Sequence, residues 1–309
     1  MRENYYKHVM TSVIIPISQA GEQLRGLLAK LRTQSVPLDI IVVDSSSSDE
    51  AADITGPFGA RLLKTGPGQF DHGGTRTMAA GAASGDIIVY LSQDVLPFDD
   101  HSIENLTRPF EDRTVGAAYG RQLPQPDASP FGAHLRLFNY PEVSCVRTIA
   151  DKEKFGIKTP FLSNAFSAYR KSALEEIGGF KERLIFAEDM YAGAKLLLGG
   201  YKIAYAADAA VYHSHNYSAL QEFKRYFDIG VFHAREAWIL QEFGRAEGEG
   251  MRYLRSGAGF LIKGGHTCLL PEFVLRNFLK YAGYTLGRNH EKIPPGIIRK
   301  ISMHPLWWG

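Results

Sequence analysis

The sequence predicts an α/β protein with a helical C-terminal extension, and three observations carry that prediction. Apolar runs at 12–16, 39–44 and 87–91 have strand length and little polar interruption, as parallel strands covered on both faces do. Between the first two, Leu24, Leu27, Leu28 and Leu31 recur at helical spacing and complete a strand, helix, strand unit. From Tyr217 onward that alternation gives way to aromatic and basic residues at helical spacings, including Phe223, Tyr226, Phe227 and Phe232. The expected organisation is a larger unit over 1–235 and a helical extension over 236–309.

Taken in order, the run ending in Asp44 is followed by Ser45-Ser46-Ser47-Ser48-Asp49, a polar turn suited to capping a helix. Open α/β sheets bind ligands beyond the carboxyl ends of their strands, which makes Asp44 a binding candidate. A third strand at 60–64 leads into a glycine-rich segment ending Asp71-His72-Gly73-Gly74-Thr75-Arg76, expected as a loop that feeds a helix at 77–83. Such a loop can offer backbone amides and the Arg76 guanidinium to phosphate oxygens, although it lacks the Gly-Lys-Ser/Thr ending of a P-loop. The strand at 87–91 ends in Ser92-Gln93-Asp94 and delivers a second Asp to the same edge, a suitable oxygen ligand for a divalent cation carrying diphosphate.

Ser102 is expected to cap a helix reaching Phe110, and 115–119 reads as a fifth strand. Residues 131–159 show no clear period and read as irregular structure or a loop. An extended stretch at 161–170 precedes a helix at 171–177 that Gly178-Gly179 ends. Next come Glu188-Asp189, at the start of a helix stopped by Gly199-Gly200. The helix dipole favours the ionised carboxylate there, so one of the pair can serve as a base toward a substrate hydroxyl. Two further strands are expected at 201–205 and 209–212, the second ending in His213-Ser214-His215. Histidines two apart on a strand share a face, and together with Asp94 they suit Mn²⁺ or Mg²⁺ better than zinc.

The chain has 309 residues, and hydrophobic residues make up 45% of it, ample for a core. A formal charge of +2 argues against nucleic acid as a partner. Cys145 and Cys268 stand far apart, so neither a disulfide framework nor a thiolate metal site is expected. The first ten residues lack the apolar core of a signal peptide and no apolar run reaches membrane-spanning length, which gives a cytoplasmic expectation.

The ordered set Val13-Ile14-Ile15-Pro16, Val42-Val43-Asp44-Ser45, Phe70-Asp71-His72-Gly73-Gly74-Thr75-Arg76, Ser92-Gln93-Asp94, Ser163-Asn164, Glu188-Asp189 and Tyr212-His213-Ser214-His215 resembles the inverting glycosyltransferases of family 2, in their bacterial rhamnosyltransferase-like branch. The resemblance covers about residues 10 to 235 and implies a GT-A fold, a Rossmann-like mixed sheet flanked by helices. In it, about 10–120 forms a nucleotide-binding half and about 121–235 an acceptor half. It implies a nucleotide-diphospho-sugar donor held by Pro16, Asp44, Ser46, Arg76, Gln93 and Asp94. A Mg²⁺ or Mn²⁺ cofactor would sit on Asp94 and His213, Asp189 would be the catalytic base with Glu188 beside it, and His72, Asn164 and His215 would act as acceptor or supporting residues. The common family motif has more acids than Ser92-Gln93-Asp94, which moves metal binding toward Asp94, His213 and the diphosphate.

The implied reaction moves a sugar, L-rhamnose from dTDP-rhamnose, to a hydroxyl of a cell-surface polysaccharide or a polyprenyl-diphosphate-linked glycan. The alternatives are a UDP-hexose or UDP-galactofuranose transferase of the same fold, or a non-catalytic nucleotide-sugar-binding protein. A Rossmann oxidoreductase is disfavoured because Pro16-Ile17-Ser18-Gln19-Ala20-Gly21 replaces the dinucleotide fingerprint. Basic and aromatic residues beyond 251, ending in Trp307-Trp308, suit the cytoplasmic face of an anionic inner membrane. A helical cap or a homo-oligomer contact is the competing expectation for the same faces.

Overall fold

The computed structural model describes residues 10–18, 20–45, 50–66, 71–244 and 248–309. Its strands are β1 (Thr11–Ile17), β2 (Leu38–Asp44), β3 (Arg61–Lys64), β4 (Ile87–Leu91), β5 (Leu96–Pro97), β6 (Val115–Leu123), β7 (Cys145–Arg147), β8 (Phe166–Arg170) and β9 (Lys202–Tyr212). They form one sheet in the order β3-β2-β1-β4-β8-β6-β9-β5, with β7 also on β9. The first four strands pair in parallel, and β8 lies antiparallel to both β4 and β6. The parallel ends of β1, β2 and β4 therefore open on one edge.

The helices are α1 (Glu22–Arg32), α2 (Glu50–Thr55), α3 (His72–Ala82), α4 (Ser102–Thr107), α5 (Pro130–Asn139), α6 (Lys152–Phe155), α7 (Lys171–Glu176), α8 (Glu188–Leu198), α9 (Ala219–Arg235), α10 (Ala237–Phe243), α11 (Glu249–Lys263), α12 (Leu270–Arg288) and α13 (Pro295–Ile301). One face of the sheet buries Leu24, Leu27, Leu28 and Leu31 of α1 with Leu106 and Phe110. The other face buries Tyr90, Tyr169 and Phe180 with Leu196, Phe227 and Phe232. Each such side chain contributes about 1.5–3 kcal/mol on burial, so the continuous strand pattern seen in the sequence reflects a sheet covered on both sides.

Several expectations need correction. The glycine-rich segment is not a loop as far as Arg76: α3 begins at His72, because Asp71 caps it by accepting from the Gly74 amide at 2.7 Å. Ser102 does not cap α4. Its hydroxyl donates to the Ala210 carbonyl, and His101 takes the N-cap position with no side-chain cap bond. Residues 131–159 hold α5, β7 and α6, and the start of α5 is set by Ser129 as N-cap with Pro130 in the first turn. The strands expected at 201–205 and 209–212 are one strand, β9, whose register against β6 shifts between Gly120 and Arg121. His213 and His215 follow the end of that strand in a segment without regular structure, so the strand alternation expected to pair them does not extend over both.

In the C-terminal layer α9 lies against α12 with backbones nearly touching. A methyl group at Gly287 would sit 2.0 Å from the Phe227 carbonyl oxygen and one at Gly283 2.4 Å from that of Phe223, so only glycine permits this approach. Trp307 and Trp308 are partly buried against the core: Arg235 covers both rings, and Trp307 donates to the Arg183 carbonyl. Asp228 holds the chain end there by accepting from the Ser302 hydroxyl and the Met303 amide, each at 2.8 Å.

Candidate active site

The acid pair opens α8, and the structure divides its two members. Glu188 is buried with its Oε1 3.0 Å from the Arg76 guanidinium, and it accepts from the Asn164 side-chain amide at 3.1 Å. Burial pushes its carboxyl up, but the Arg76 and His72 charges outweigh that and hold it below its ordinary value. Asp189 accepts from the Asn164 backbone amide at 3.1 Å and from the Met190 amide at 2.8 Å. Burial and the neighbouring Glu188 charge push Asp189 up to about 7.

Asn164 is the clamp between these carboxylates. Its own Oδ1 accepts from the Ser167 and Tyr169 hydroxyls at 2.8 Å each, which fixes the amide's orientation. Ala187, immediately before the pair, has φ 61°, a left-handed conformation that costs a non-glycine residue about 1–3 kcal/mol. Ala187 is the N-cap of α8, and consecutive residues of a helix point about 100° apart, so Glu188 and Asp189 face different surroundings.

The His-Gly-Gly-x-Arg cluster supports this arrangement from behind. A methyl group at Gly73 would meet the Lys181 carbonyl oxygen at 2.1 Å, so glycine there lets α3 press against the strand of chain that leads into α8. Asp71 reaches across as well, accepting from the Arg183 amide at 2.9 Å. His72 lies 3.2 Å from Arg76 and edge-on to His304, with burial pushing its imidazole down. Arg76 is 8% exposed and His72 lies beside it, so both stand behind Glu188.

Asp94, His213 and His215 form the second constellation. Asp94 Oδ2 lies 3.4 Å from His213 Nε2 and 3.8 Å from His215 Nδ1, and one ligand atom from each falls within 4.8 Å of the others. His213 Nδ1–H donates to Gln122 Oε1 at 2.8 Å, which leaves the Nε2 lone pair turned toward the Asp94 carboxylate. Burial pushes His213 down, and burial together with His213 pushes His215 down to about 4, so both imidazoles are neutral at pH 7. Two lone-pair nitrogens facing a carboxylate fit a divalent cation with a mixed oxygen and nitrogen preference.

Both constellations line one cavity of about 450 Å³. Asp94, Asp189, His213 and His215 face it together. Asp44 is fully buried at the end of β2, on the same sheet edge but outside the cavity lining. Pro16 pairs with Val43 in the adjoining strands, and Gln93 accepts from the Ser18 amide at 3.2 Å, tying the ends of β1 and β4. Ser46 lies outside the described residues, as does Phe70.

The cavity also holds residues that the sequence reading missed. Arg136 comes from α5 and Tyr140 from its C-cap, four residues on, and Arg225 comes from α9. Among the described residues neither arginine makes an ion pair. Arg225 lies 4.5 Å from the Phe186 ring centroid and Arg136 lies 6.0 Å from that of Tyr140. Burial pulls Arg136 below its ordinary value, as expected for a cation lacking an anion. The signal for α5 was present in Ser129-Pro130, an N-cap and first-turn pair.

Comparison with known proteins agrees with this geometry. The model of glycosyl transferase family 2 matches residues 12–178. The O-antigen chain rhamnosyltransferases RfbN of Salmonella typhimurium and WbaN of Salmonella anatum are each 43% identical over 300 residues, covering 96% of this chain and 95% of theirs. The chain belongs to glycosyl transferase family 2. It is an inverting glycosyltransferase with the GT-A fold. Mannosyltransferase PcManGT of Pyrobaculum calidifontis, solved with GDP-Man and Mn²⁺, superposes with TM-score 0.65 at 17% identity over 94% of both chains. S. aureus TarS 1-349, solved with UDP-GlcNAc, superposes with TM-score 0.54 at 16% identity over 92% of this chain and 91% of that one. Those similarities concern the fold of this family 2 chain, in which the end of β4 leads into the cavity through Ser92 and Asp94.

Proposed function

We propose that this family 2 enzyme transfers L-rhamnose from dTDP-rhamnose to a hydroxyl of a growing O-antigen-type polysaccharide or lipid-linked glycan. The observation that carries the chemistry is that a single cavity holds Asp189, with its carboxyl near 7, together with the Asp94, His213 and His215 cluster. The rhamnosyltransferases with which it shares 43% identity support the choice of donor.

In this reading Asp189 takes the proton of the acceptor hydroxyl as the acceptor oxygen bonds to the anomeric carbon. The bond from that carbon to the β-phosphate oxygen breaks on the opposite side, and configuration inverts in the one displacement. Arg136 and Arg225 meet the charge developing on the departing diphosphate, as cations not already committed to an acid. Asp94, His213 and His215 would hold Mg²⁺ or Mn²⁺, which when bound supplies Lewis-acid neutralisation of the diphosphate. Glu188 keeps Asp189 basic through its charge and is itself held by Arg76. Asp44, Pro16 and Gln93 are proposed to meet the nucleoside at the ends of β1, β2 and β4.

Among the described residues no helix is long and apolar enough to cross a membrane. We place the enzyme at the cytoplasmic face of an inner membrane, with the exposed Val274 and Phe278 of α12 on the bilayer and exposed Arg252, Arg255 and Lys263 beside it.

The test is release of nucleoside diphosphate from dTDP-rhamnose, UDP-galactose and UDP-galactofuranose, with and without chelator and with Mg²⁺ or Mn²⁺ restored. Release from dTDP-rhamnose alone, abolished by chelator, is the expected result. Preference for a UDP-sugar would replace the donor proposal, and metal-independent release would remove the cation from the cluster.

A further inference from the structure

A second cavity, of about 470 Å³, adjoins the first between α5, α11 and α12. Leu135, Asn139, Tyr226 and Lys280 line both, so the two share a wall and Lys280 stands on it. Away from that shared wall the groove is lined by Phe138, Tyr253, Leu254, Tyr281 and Tyr284. We propose that this groove receives the apolar stem of a membrane-anchored acceptor and presents its hydroxyl-bearing head to Asp189, an inference that rests on the transferase reading above.

The chemistry of the lining selects an apolar occupant over a saccharide. A sugar-binding groove needs polar groups available to hydroxyls, and here most of them already have protein partners. Lys158 is paired with Glu249, and Lys280 with Glu222 at 3.1 Å. The side-chain amides of Asn139 and Asn277 donate to the Leu135 and Phe273 carbonyls of their own helices, and the Tyr284 hydroxyl lies 3.1 Å from His233. What remains toward the groove is leucine and aromatic ring, with the hydroxyls of Tyr226, Tyr253 and Tyr281 at the ring edges.

Its outer end points to the same conclusion. Tyr281 both lines the groove and stands 70% exposed on α12, on one helical face with Val274 at 65% and Phe278 at 63%. Three large apolar side chains in water on one face are a place to meet a lipid surface. A groove that starts at that face and shares a wall with the cavity of Asp189 places an amphiphile's stem beside the site where its head would react.

The experiment titrates the full chain, with dTDP and Mg²⁺ saturating the donor side, with geranyl, farnesyl and geranylgeranyl diphosphate below their micelle concentrations, and with inorganic diphosphate and maltose as controls. Affinity is expected to rise at least tenfold from the shortest chain to the longest. Tyr281→Ser, at an exposed position that folding tolerates, and Leu254→Ser are both expected to flatten that rise, whereas Phe278→Ser on the outer face leaves it intact. Equal affinity at all chain lengths overturns the proposal. So does loss of the rise in Phe278→Ser but not in the groove variants, which would mark surface adsorption, and so does displacement of farnesyl diphosphate by maltose, which would mark a saccharide groove. Release of dTDP from dTDP-rhamnose is measured alongside: release with a flat chain-length series sinks the groove alone, and a steep series without release sinks the transferase reading alone.

Discussion

The two sides of the cavity are built differently. The sheet-edge side presents Asp94, His213, His215 and Asp189; Asp189 is held by the Asn164 and Met190 backbone amides, His213 by the Gln122 side-chain amide, and Asp94 and His215 by the cluster itself. The helical side presents Arg136 and Arg225, held by ring contacts and by no acid among the described residues. A group that must keep one protonation state and one direction gains from a locked network. Cations that wait for an anion gain from being left unneutralised, at the cost of burial that the α5 and α9 packing sustains.

That contrast can be broken from either side. The largest effect is expected for Asp189→Asn, which keeps the hydrogen-bonding shape but removes the base: turnover should fall about 10²–10⁴-fold with donor affinity nearly unchanged, read by steady-state kinetics beside donor binding. A variant keeping near-normal turnover would take the base role from Asp189. On the helical side Arg225→Ala should lower kcat about 10²–10³-fold with little change in thermal stability, since no protein ion pair is lost. A large drop in Tm with unchanged kcat would make Arg225 structural.

The pH profile sharpens the comparison. Because Asp189 works as the carboxylate and its carboxyl is raised to about 7, kcat/KM should rise as pH increases through about 7 and be lost below it. Glu188→Gln removes the negative charge that helps to raise it, so the rise should move to lower pH. A profile that stays in place would show that burial alone sets the Asp189 value.

Gly73→Ala tests the support behind the sheet-edge side. Its methyl group would press on the Lys181 carbonyl, and a loss of about 1–3 kcal/mol is expected by denaturant unfolding. The smallest effect belongs to Ala187→Gly. Relief of about 1–3 kcal/mol of left-handed strain is opposed by about 0.5–1 kcal/mol of added chain entropy and by about 0.8 kcal/mol for the buried Ala187 methyl group, so stability should change by less than about 2 kcal/mol; a loss larger than that would mean that the left-handed turn carries no strain.

Much of the fold was legible because a strand covered on both faces has to be apolar throughout, and β1, β2 and β4 are. Legibility failed where a signal had two readings. Gly73-Gly74 suggested a loop, but a glycine can equally stand within a helix that touches backbone, and Asp71 made the helix start there. The 209–212 run looked separate because the middle of β9 is alanine-rich, and small residues carry little period. Arg136 was hidden because α5 buries only part of one face, leaving aromatics and charges mixed along 131–139.

By itself the sequence determined the parallel strands, the acids at their ends and the acid pair at the start of α8, since these follow from local periodicity and from which residues tolerate a strand or helix end. Tertiary structure decided how the members of that pair differ. Glu188 was drawn to Arg76, 112 positions earlier in the chain, and Asp189 was left facing the cavity with its proton held more tightly. A carboxyl's affinity for its proton depends on the charges and water around it in space, and those are set only when distant segments meet.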